Sequence, residues 1–373
     1  MWGAIRASGA VVALLIAVYF YFFFRRAIKY FFKDTKKHIL HTASALPAVA
    51  LGALSGDIFS FFAIAVLHFM FFSLLARLID LVIRKCVKKE DAPLKFWNTV
   101  YRGGILALAL TFAFSLFGYY KLHNVVATEY TVRTEKSISP DGYRVALLTD
   151  VHYGVSVDDA EFLRICSEIS EKEPDIVILC GDIVDNNTTK EQMLFAFKAM
   201  GGIKSKYGVF YVHGNHDRPF SFAGFESEFT ESGLVNAIES NGIKILQDEV
   251  YEISDDLALV GREDMSVKTR RDIDDLIKET DENRFIITLE HQPRDYAKTA
   301  QSATDLVLSG HTHGGQLWPL KQVQQIFNMN DKVYGHGFID SDTQYIVSSG
   351  LAGWKYPIKT AAPAEYVVID ITN

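Results

Sequence analysis

The sequence predicts an α/β domain preceded by an all-α membrane region of about four helices, and three observations carry that prediction. Charge is partitioned: of 38 Lys and Arg, 14 lie in residues 1–120, and of 45 Asp and Glu, 5 do, which leaves 24 basic against 40 acidic residues in 121–373. Nearly uncharged apolar runs, long enough to cross a hydrocarbon core, fill the basic front. In the acidic rear, short β-branched apolar runs alternate with helix-compatible stretches, the pattern of an α/β unit.

The expected spans are residues 4–24, 39–55, 58–83 and 103–120. The second is the shortest and contains Pro47, so a re-entrant hairpin with the third is its alternative. Arg25 and Arg26 follow the first run where a cleavable signal peptide would carry small residues, so that run reads as an anchor. The stretches "RRAIKYFFKDTKK" and "RKCVKKEDAPLKFWNTVYR" are dense in Lys and Arg, whereas "SGD" between the second and third spans has none. Basic loops stay cytoplasmic. Four spans then make a multi-pass membrane protein whose rear domain lies outside the cytoplasm; the loss of one span would turn that domain inward. Residues 121–142 read as a stalk and 143–373 as the folded domain. Cys86, Cys166 and Cys180 show no metal-like spacing.

One grammar recurs in the rear: an apolar run ends, and metal-binding residue types follow at once. "YRVALLTDVH" ends in Asp150 and His152, and "PDIVILCGDIVD" in Asp182 and Asp185. "YGVFYVHGNHD" supplies Asn215, His216 and Asp217, "RFIITLEHQP" supplies His291, and "TDLVLSGHTHGG" supplies His311 and His313. In an extended segment, residues two apart share a face, so the last two imidazoles are expected to point into one space. Residues 158–172 and 190–205 read as intervening helices. Each cluster alone has an ordinary explanation as a turn, a helix cap or a left-handed Asn loop. Five at successive strand ends define one crevice at the carboxyl edge of the strands.

Histidine nitrogen, carboxylate oxygen and an amide oxygen, without thiolates, suit Mn2+, Fe2+, Co2+ or Zn2+. Asp150, His152, Asp182, Asn215, His291, His311 and His313 are more ligands than one ion needs. Two divalent ions about 3.5–4 Å apart and sharing a carboxylate would use them all.

In this order, "DVH", "GDIVD", "GNHD", His291 and "GHTH" resemble the calcineurin-like metallophosphoesterase superfamily, from about residue 143 to the carboxyl terminus. "SSGLAGWKYPIKT" and the membrane-spanning front are similar to the membrane-bound bacterial phosphoesterases of the YkuE and YaeI type. The resemblance implies a two-sheet α/β/β/α sandwich. It places Asp150, His152 and His313 on one metal, Asn215, His291 and His311 on the other, and Asp182 between them. It further implies hydrolysis of a phosphodiester or pyrophosphate by a hydroxide bridging the metals, with His216 as general acid and Asp185 orienting its imidazole. Asp185 as a plain turn or capping residue is the alternative.

Arg218 and Arg262 are candidate phosphate contacts, although a surface arginine is the ordinary reading of each. His213 and His336 read as structural, and Trp354 and residues 318–327 as core, groove lining or membrane contact. The acidic domain shows no basic face for tracking a nucleic-acid polymer. A bilayer anchor instead favours lipid-linked or envelope substrates. The alternatives are a cytoplasm-facing pyrophosphatase of lipid-carrying sugar nucleotides, of the UDP-diacylglucosamine hydrolase type, and a non-catalytic metal-binding scaffold.

Overall fold

The apolar front of the chain folds into helices because each long run satisfies its backbone groups internally. The computed structural model describes residues 2–58, 60–86, 92–185, 187–219, 221–222 and 225–373, in two units, Met1–Gly118 and Tyr119–Asn373. The first holds α1 (Trp2–Phe31), α2 (Lys37–Leu54), α3 (Phe61–Cys86), α4 (Ala92–Arg102) and most of α5 (Ile105–His123). Among the described residues, three helical segments are long and apolar enough to cross a membrane: Gly9–Phe31, Phe61–Cys86 and Ile105–His123. The expected second span is helical as α2, through Pro47, but is not among those three. It packs closely on α1: a Cβ at Gly52 would meet the Ala13 carbonyl at 2.5 Å and Ala17 Cβ at 2.9 Å.

The basic segment after the third span, expected as loop, contains the helix α4; residues 87–91 of that segment lie outside the described residues. Trp97 Nε1 donates to Asp80 of α3 at 3.0 Å, and Arg84 bridges Asp80 at 2.8 Å and Asn98 at 2.6 Å. An otherwise costly buried carboxylate thereby fixes α4 to the end of α3.

The second unit contains, in chain order, β1 (Val125–Arg133), β2 (Tyr143–Leu148), α6 (Asp159–Glu171), β3 (Ile176–Cys180), α7 (Lys190–Gly201), β4 (Val209–Val212), β5 (Ser221–Phe222) and β6 (Phe225–Glu226). There follow α8 (Glu231–Glu239), β7 (Ile243–Ile245), β8 (Glu249–Glu252), β9 (Leu257–Gly261), α9 (Ile273–Ile277), β10 (Phe285–Leu289), α10 (Tyr296–Thr299) and β11 (Leu306–Ser309). Last come α11 (Leu320–Ile326), β12 (Gly335–Phe338), β13 (Gln344–Val347) and β14 (Ala364–Thr372). Two six-stranded mixed sheets result, ordered β1-β14-β2-β3-β4-β7 and β12-β13-β11-β10-β9-β8. The expected stalk is corrected here: Val125–Arg133 is an edge strand, parallel to β14 along its whole length.

Strand alternation builds the layers. Val145, Leu147, Ile176, Ile178, Phe210 and Val212 meet Leu257, Leu259, Phe285, Ile287, Leu306 and Leu308 between the sheets. Their neighbours Ala146, Leu148, Val177, Leu179 and Tyr211 turn the other way, onto Phe162, Ile165, Phe197 and Leu234 of the helices. On the far sheet, Val260 and Ile286 pack under Ile273, Leu276 and Ile277 of α9. Strands buried on both faces read as continuous apolar runs, as observed. Asp158 caps α6 through the Glu161 amide, and Thr189 with Gln192 forms a capping box on α7. α7 stops at Gly201, short of the expected 205, where the Gly201-Gly202 pair lowers helix propensity.

Phe285 is buried between the sheets. Phe285→Ala is expected to cost about 3–5 kcal/mol, measurable as loss of stability in denaturant unfolding of the detergent-solubilised chain.

Candidate metal centre

The carboxyl ends of β2, β3 and β4, adjacent in one sheet, and of β10 and β11, adjacent in the other, open on one crevice. Two to three residues past those ends lie Asp150, Asp182, Asn215, His291 and His311. Five of the residues with expected metal roles have left-handed backbone: Asp150 (φ 51°), His152 (φ 38°), Asp182 (φ 54°), His311 (φ 69°) and His313 (φ 49°). Each such conformation costs on the order of 1–3 kcal/mol outside glycine and persists where the surroundings over-determine it. Here it turns each chain sharply at the strand end and aims the side chain inward. His311 and His313 do not share one face of an extended segment, as their spacing predicts: β11 ends at Ser309, and the turn sends the two imidazoles to different groups.

Asp150, His152 and His313 form the first group, with ligand atoms within 4.8 Å of one another; Asp182, His291 and His311 form the second. His313 Nε2 lies 3.4 Å from Asp150 Oδ1 and 3.3 Å from His152 Nε2. Asp182 Oδ2 is 3.1 Å from His291 Nε2 and 3.8 Å from His152 Nε2, so its carboxylate faces both groups. Asn215 Oδ1 meets His311 Nδ1 at 2.8 Å.

The donor set suits cations. His291 Nδ1 is 2.8 Å from the Cys180 carbonyl and His313 Nδ1 is 3.1 Å from the Ala352 carbonyl. A carbonyl only accepts, so both Nδ1 atoms carry a proton and both Nε2 atoms face the crevice. Burial, helped by the positive field of His291, pushes His311 down to about 4, and burial beside His152 pushes His313 well below its ordinary range. Both therefore present neutral, ligating imidazoles. Burial acts the same way on His291 and His152, but Asp182 overrides it at His291, and Asp185 with Asp182 at His152, drawing both upward. Among the protein's own groups, the crevice pulls positive charge into itself.

Close backbone approach makes this density possible. A Cβ at Gly181 would fall 2.5 Å from His291 Nδ1, and one at Gly310 would fall 1.9 Å from Thr149 Oγ1 and 2.3 Å from Asp150 Oδ2.

Residues 143–315 match the calcineurin-like phosphoesterase family. The chain carries a calcineurin-like phosphoesterase domain. Proteins of this family use a dimetal centre, and the two facing groups of the domain fit one. A transmembrane protein with a metallophosphoesterase domain from Danio rerio is 28% identical over 350 residues, covering 90% of this chain and 74% of that protein. An uncharacterized metallophosphoesterase of Helicobacter pylori (strain J99) is 33% identical over 236 residues, 61% of this chain; the alignment spans 59% of that protein's length. The uncharacterized metallophosphoesterase YkuE of Bacillus subtilis is 27% identical over 283 residues, 73% of this chain and 94% of that protein.

Other expected site residues of the phosphoesterase domain lie elsewhere or do something else. Asp185 Oδ2 lies 3.2 Å from His152 Nδ1, not in a bond to the His216 ring, so it stands behind a candidate ligand. His216, half-buried, donates its amide to Asp182 Oδ1 at 2.8 Å, and its ring lies 5.4 Å from that of His152 and 5.2 Å from that of Trp354. Arg218 is engaged by Glu231 at 2.5 Å and Glu263 at 2.7 Å. Arg262 is 3% exposed and paired with the buried Glu290 at 2.8 Å. Neither arginine presents a free fork to phosphate, and both phosphate assignments give way to ion pairs. His213 and His336 meet Gln247 and Gln344, in keeping with structural roles.

Two buried residues received no role in the sequence reading. Asp217 accepts from the amides of Asp182 (2.7 Å), Ile183 (2.8 Å), Val184 (3.1 Å) and Gly214 (2.7 Å), stapling the loop after β3 to the loop after β4. Lys359 is buried beneath the loop after β13. Asp217 has a visible signal, a charge inside "GNHD"; Lys359 lies inside "SSGLAGWKYPIKT", where nothing in the sequence signals its burial.

Arg262→Ala removes one of two arginines on the buried Glu290, which keeps Arg270 at 2.5 and 2.6 Å, and is expected to cost about 1.5–3 kcal/mol while leaving the KM for a small phosphoester within about twofold of wild type. Thermal unfolding and steady-state kinetics on the same preparation separate this from a phosphate-binding role. Asp217→Ala leaves four buried amides unpaired at about 1–3 kcal/mol each; the expected result is loss of the folded domain or of metal uptake, read by circular dichroism and metal analysis.

Proposed function

We propose that this protein is a membrane-anchored dimetal phosphoesterase hydrolysing phosphodiester or pyrophosphate bonds of envelope or lipid-linked substrates outside the cytoplasm. The observation that carries the reading is the position of Asp182, a buried carboxylate facing two separate histidine-containing groups. Asp150, His152 and His313 would hold one ion, Asn215, His291 and His311 the other, and Asp182 both. Divalent ions so held supply charge for the phosphoryl oxygens and activate water at neutral pH.

The remaining work falls to the chain's own residues. His216 stands at the crevice with its backbone anchored to Asp182 and its ring beside Trp354, where Nε2 or Nδ1 can hand a proton to the departing oxygen. Asp185 orients His152 and raises its basicity as a ligand. The domain's acidic balance disfavours a polyanionic polymer as substrate.

The outward orientation rests on charge: only if α2 also crosses do both Lys- and Arg-rich loops fall on one, cytoplasmic, side. The close packing of α2 on α1 at Gly52 supports a helical hairpin. A second reading has its own observation, since among the described residues three helices meet the length and apolarity of a span. Three crossings would turn the domain inward and favour a pyrophosphatase of lipid-carrying sugar nucleotides. Proteolysis of sealed right-side-out vesicles decides between them: cleavage at the carboxyl-terminal domain supports the outward reading, and full protection overturns it.

Bis(p-nitrophenyl) phosphate should be hydrolysed by the purified chain with Mn2+ or Zn2+, and activity should fall to background after chelation and return with metal. Asp182→Ala is expected to abolish turnover, and His216→Ala to lower kcat by about 10²–10⁴-fold with little change in metal content. Equal rates in wild type and Asp182→Ala would remove the dimetal reading.

A further inference from the structure

We propose that Lys359 is a positioning residue for the first metal group, holding His313 and Asp150 in ligating geometry by gathering the carbonyls of the loop at residues 349–352. The inference rests on assigning Asp150, His152 and His313 to one ion.

Lys359 is fully buried, and its Nζ donates to the carbonyls of Ser349 (2.5 Å), Gly350 (3.0 Å) and Ala352 (3.4 Å). Three carbonyl dipoles converging on one point repel one another unless a cation with three donors fills it. The Ala352 carbonyl is also the acceptor for His313 Nδ1 at 3.1 Å, the bond that turns His313 Nε2 toward Asp150 and His152. The same loop carries Asp150: the amides of Leu351 and Ala352 donate to the carbonyls of Thr149 and Asp150, each at 3.0 Å. At Gly350 (φ +75°) the loop passes so close that a Cβ would meet Asp150 Cβ at 2.5 Å. Two of the three first-group residues thus take their position from one loop.

That loop is clamped from both sides. Lys359 takes its carbonyls, while the buried Glu365 takes the Ser349 amide at 2.9 Å and lies within reach of Ser348 Oγ at 3.4 Å. The arrangement is expensive. Burial pulls the Lys359 ammonium down to about 7 even though Glu365 and Asp150 favour its charge, and a methionine would fill a similar volume without that cost. The ammonium fixes the direction of three main-chain carbonyls, which a methionine in its place would leave unheld.

The test is a metal titration of the full chain in detergent by calorimetry with Mn2+. Wild type is compared with Lys359→Met, Lys359→Arg and, to identify the first site, His313→Ala. Outer-shell partners of ligands typically hold 10–100-fold in metal affinity. The expected result is that Lys359→Met weakens by that factor the constant that His313→Ala removes, leaves the other within about threefold, and is restored in part by Lys359→Arg. Unchanged constants in a variant with native circular dichroism, or equal weakening of both, would overturn the proposal. If Lys359→Met does not fold, Lys359→Gln, with two donors for three carbonyls, is judged by the same criterion. The readout is binding, so a chain that takes up two ions but hydrolyses nothing sinks the proposed function and leaves this inference standing.

Discussion

The domain is organised around an electrostatic demand. Asp150 and Asp182 are buried beside imidazoles in a crevice where water does not screen them, and isolated carboxylates in such a place are costly unless paired. The neighbouring histidines answer in two ways. His152 and His291 are drawn toward protonation, while His311 and His313 are held neutral with lone pairs free. Divalent cations satisfy both at once, because they supply the positive charge that the carboxylates draw and the Lewis acid that neutral imidazoles seek.

Meeting that demand requires geometry that the backbone resists. Left-handed turns at five non-glycine residues, and loop approaches that leave no room for a Cβ at Gly181 or Gly310, are strained or crowded features gathered at one edge of the sandwich. They are tolerated because the strands that carry them, β3, β4, β10 and β11, are buried along their whole length in close-packed layers. Asp217 and the Lys359–Glu365 clamp then fasten the ligand loops to one another and to the sheets. The same fixed loops leave His216 half-buried at the crevice, where a substrate can reach it.

Much of this was legible in the sequence because strand periodicity and ligand chemistry are local. An apolar run ending in Asp-x-His announces both a buried strand and its functional end, and the five runs appear as β2, β3, β4, β10 and β11. Features set by long-range partners were not legible. Val125–Arg133 read as a stalk because its sheet partner is the last strand of the chain. Arg262 read as a phosphate contact because Glu290 lies 28 residues away, and Asp185 was given to His216 because sequence spacing does not show which imidazole a carboxylate faces. Lys359 stands inside "SSGLAGWKYPIKT", but only the folded loop shows that its ammonium gathers the carbonyls of Ser349, Gly350 and Ala352.

The claim on which the account turns is that one carboxylate, Asp182, joins two metal ions. Electron paramagnetic resonance of the full chain loaded with two equivalents of Mn2+ tests it directly. Ions about 3.5–4 Å apart through a shared carboxylate give an exchange-coupled multiline spectrum, which is the predicted result. Two independent six-line signals, or binding that saturates at one ion, would contradict it.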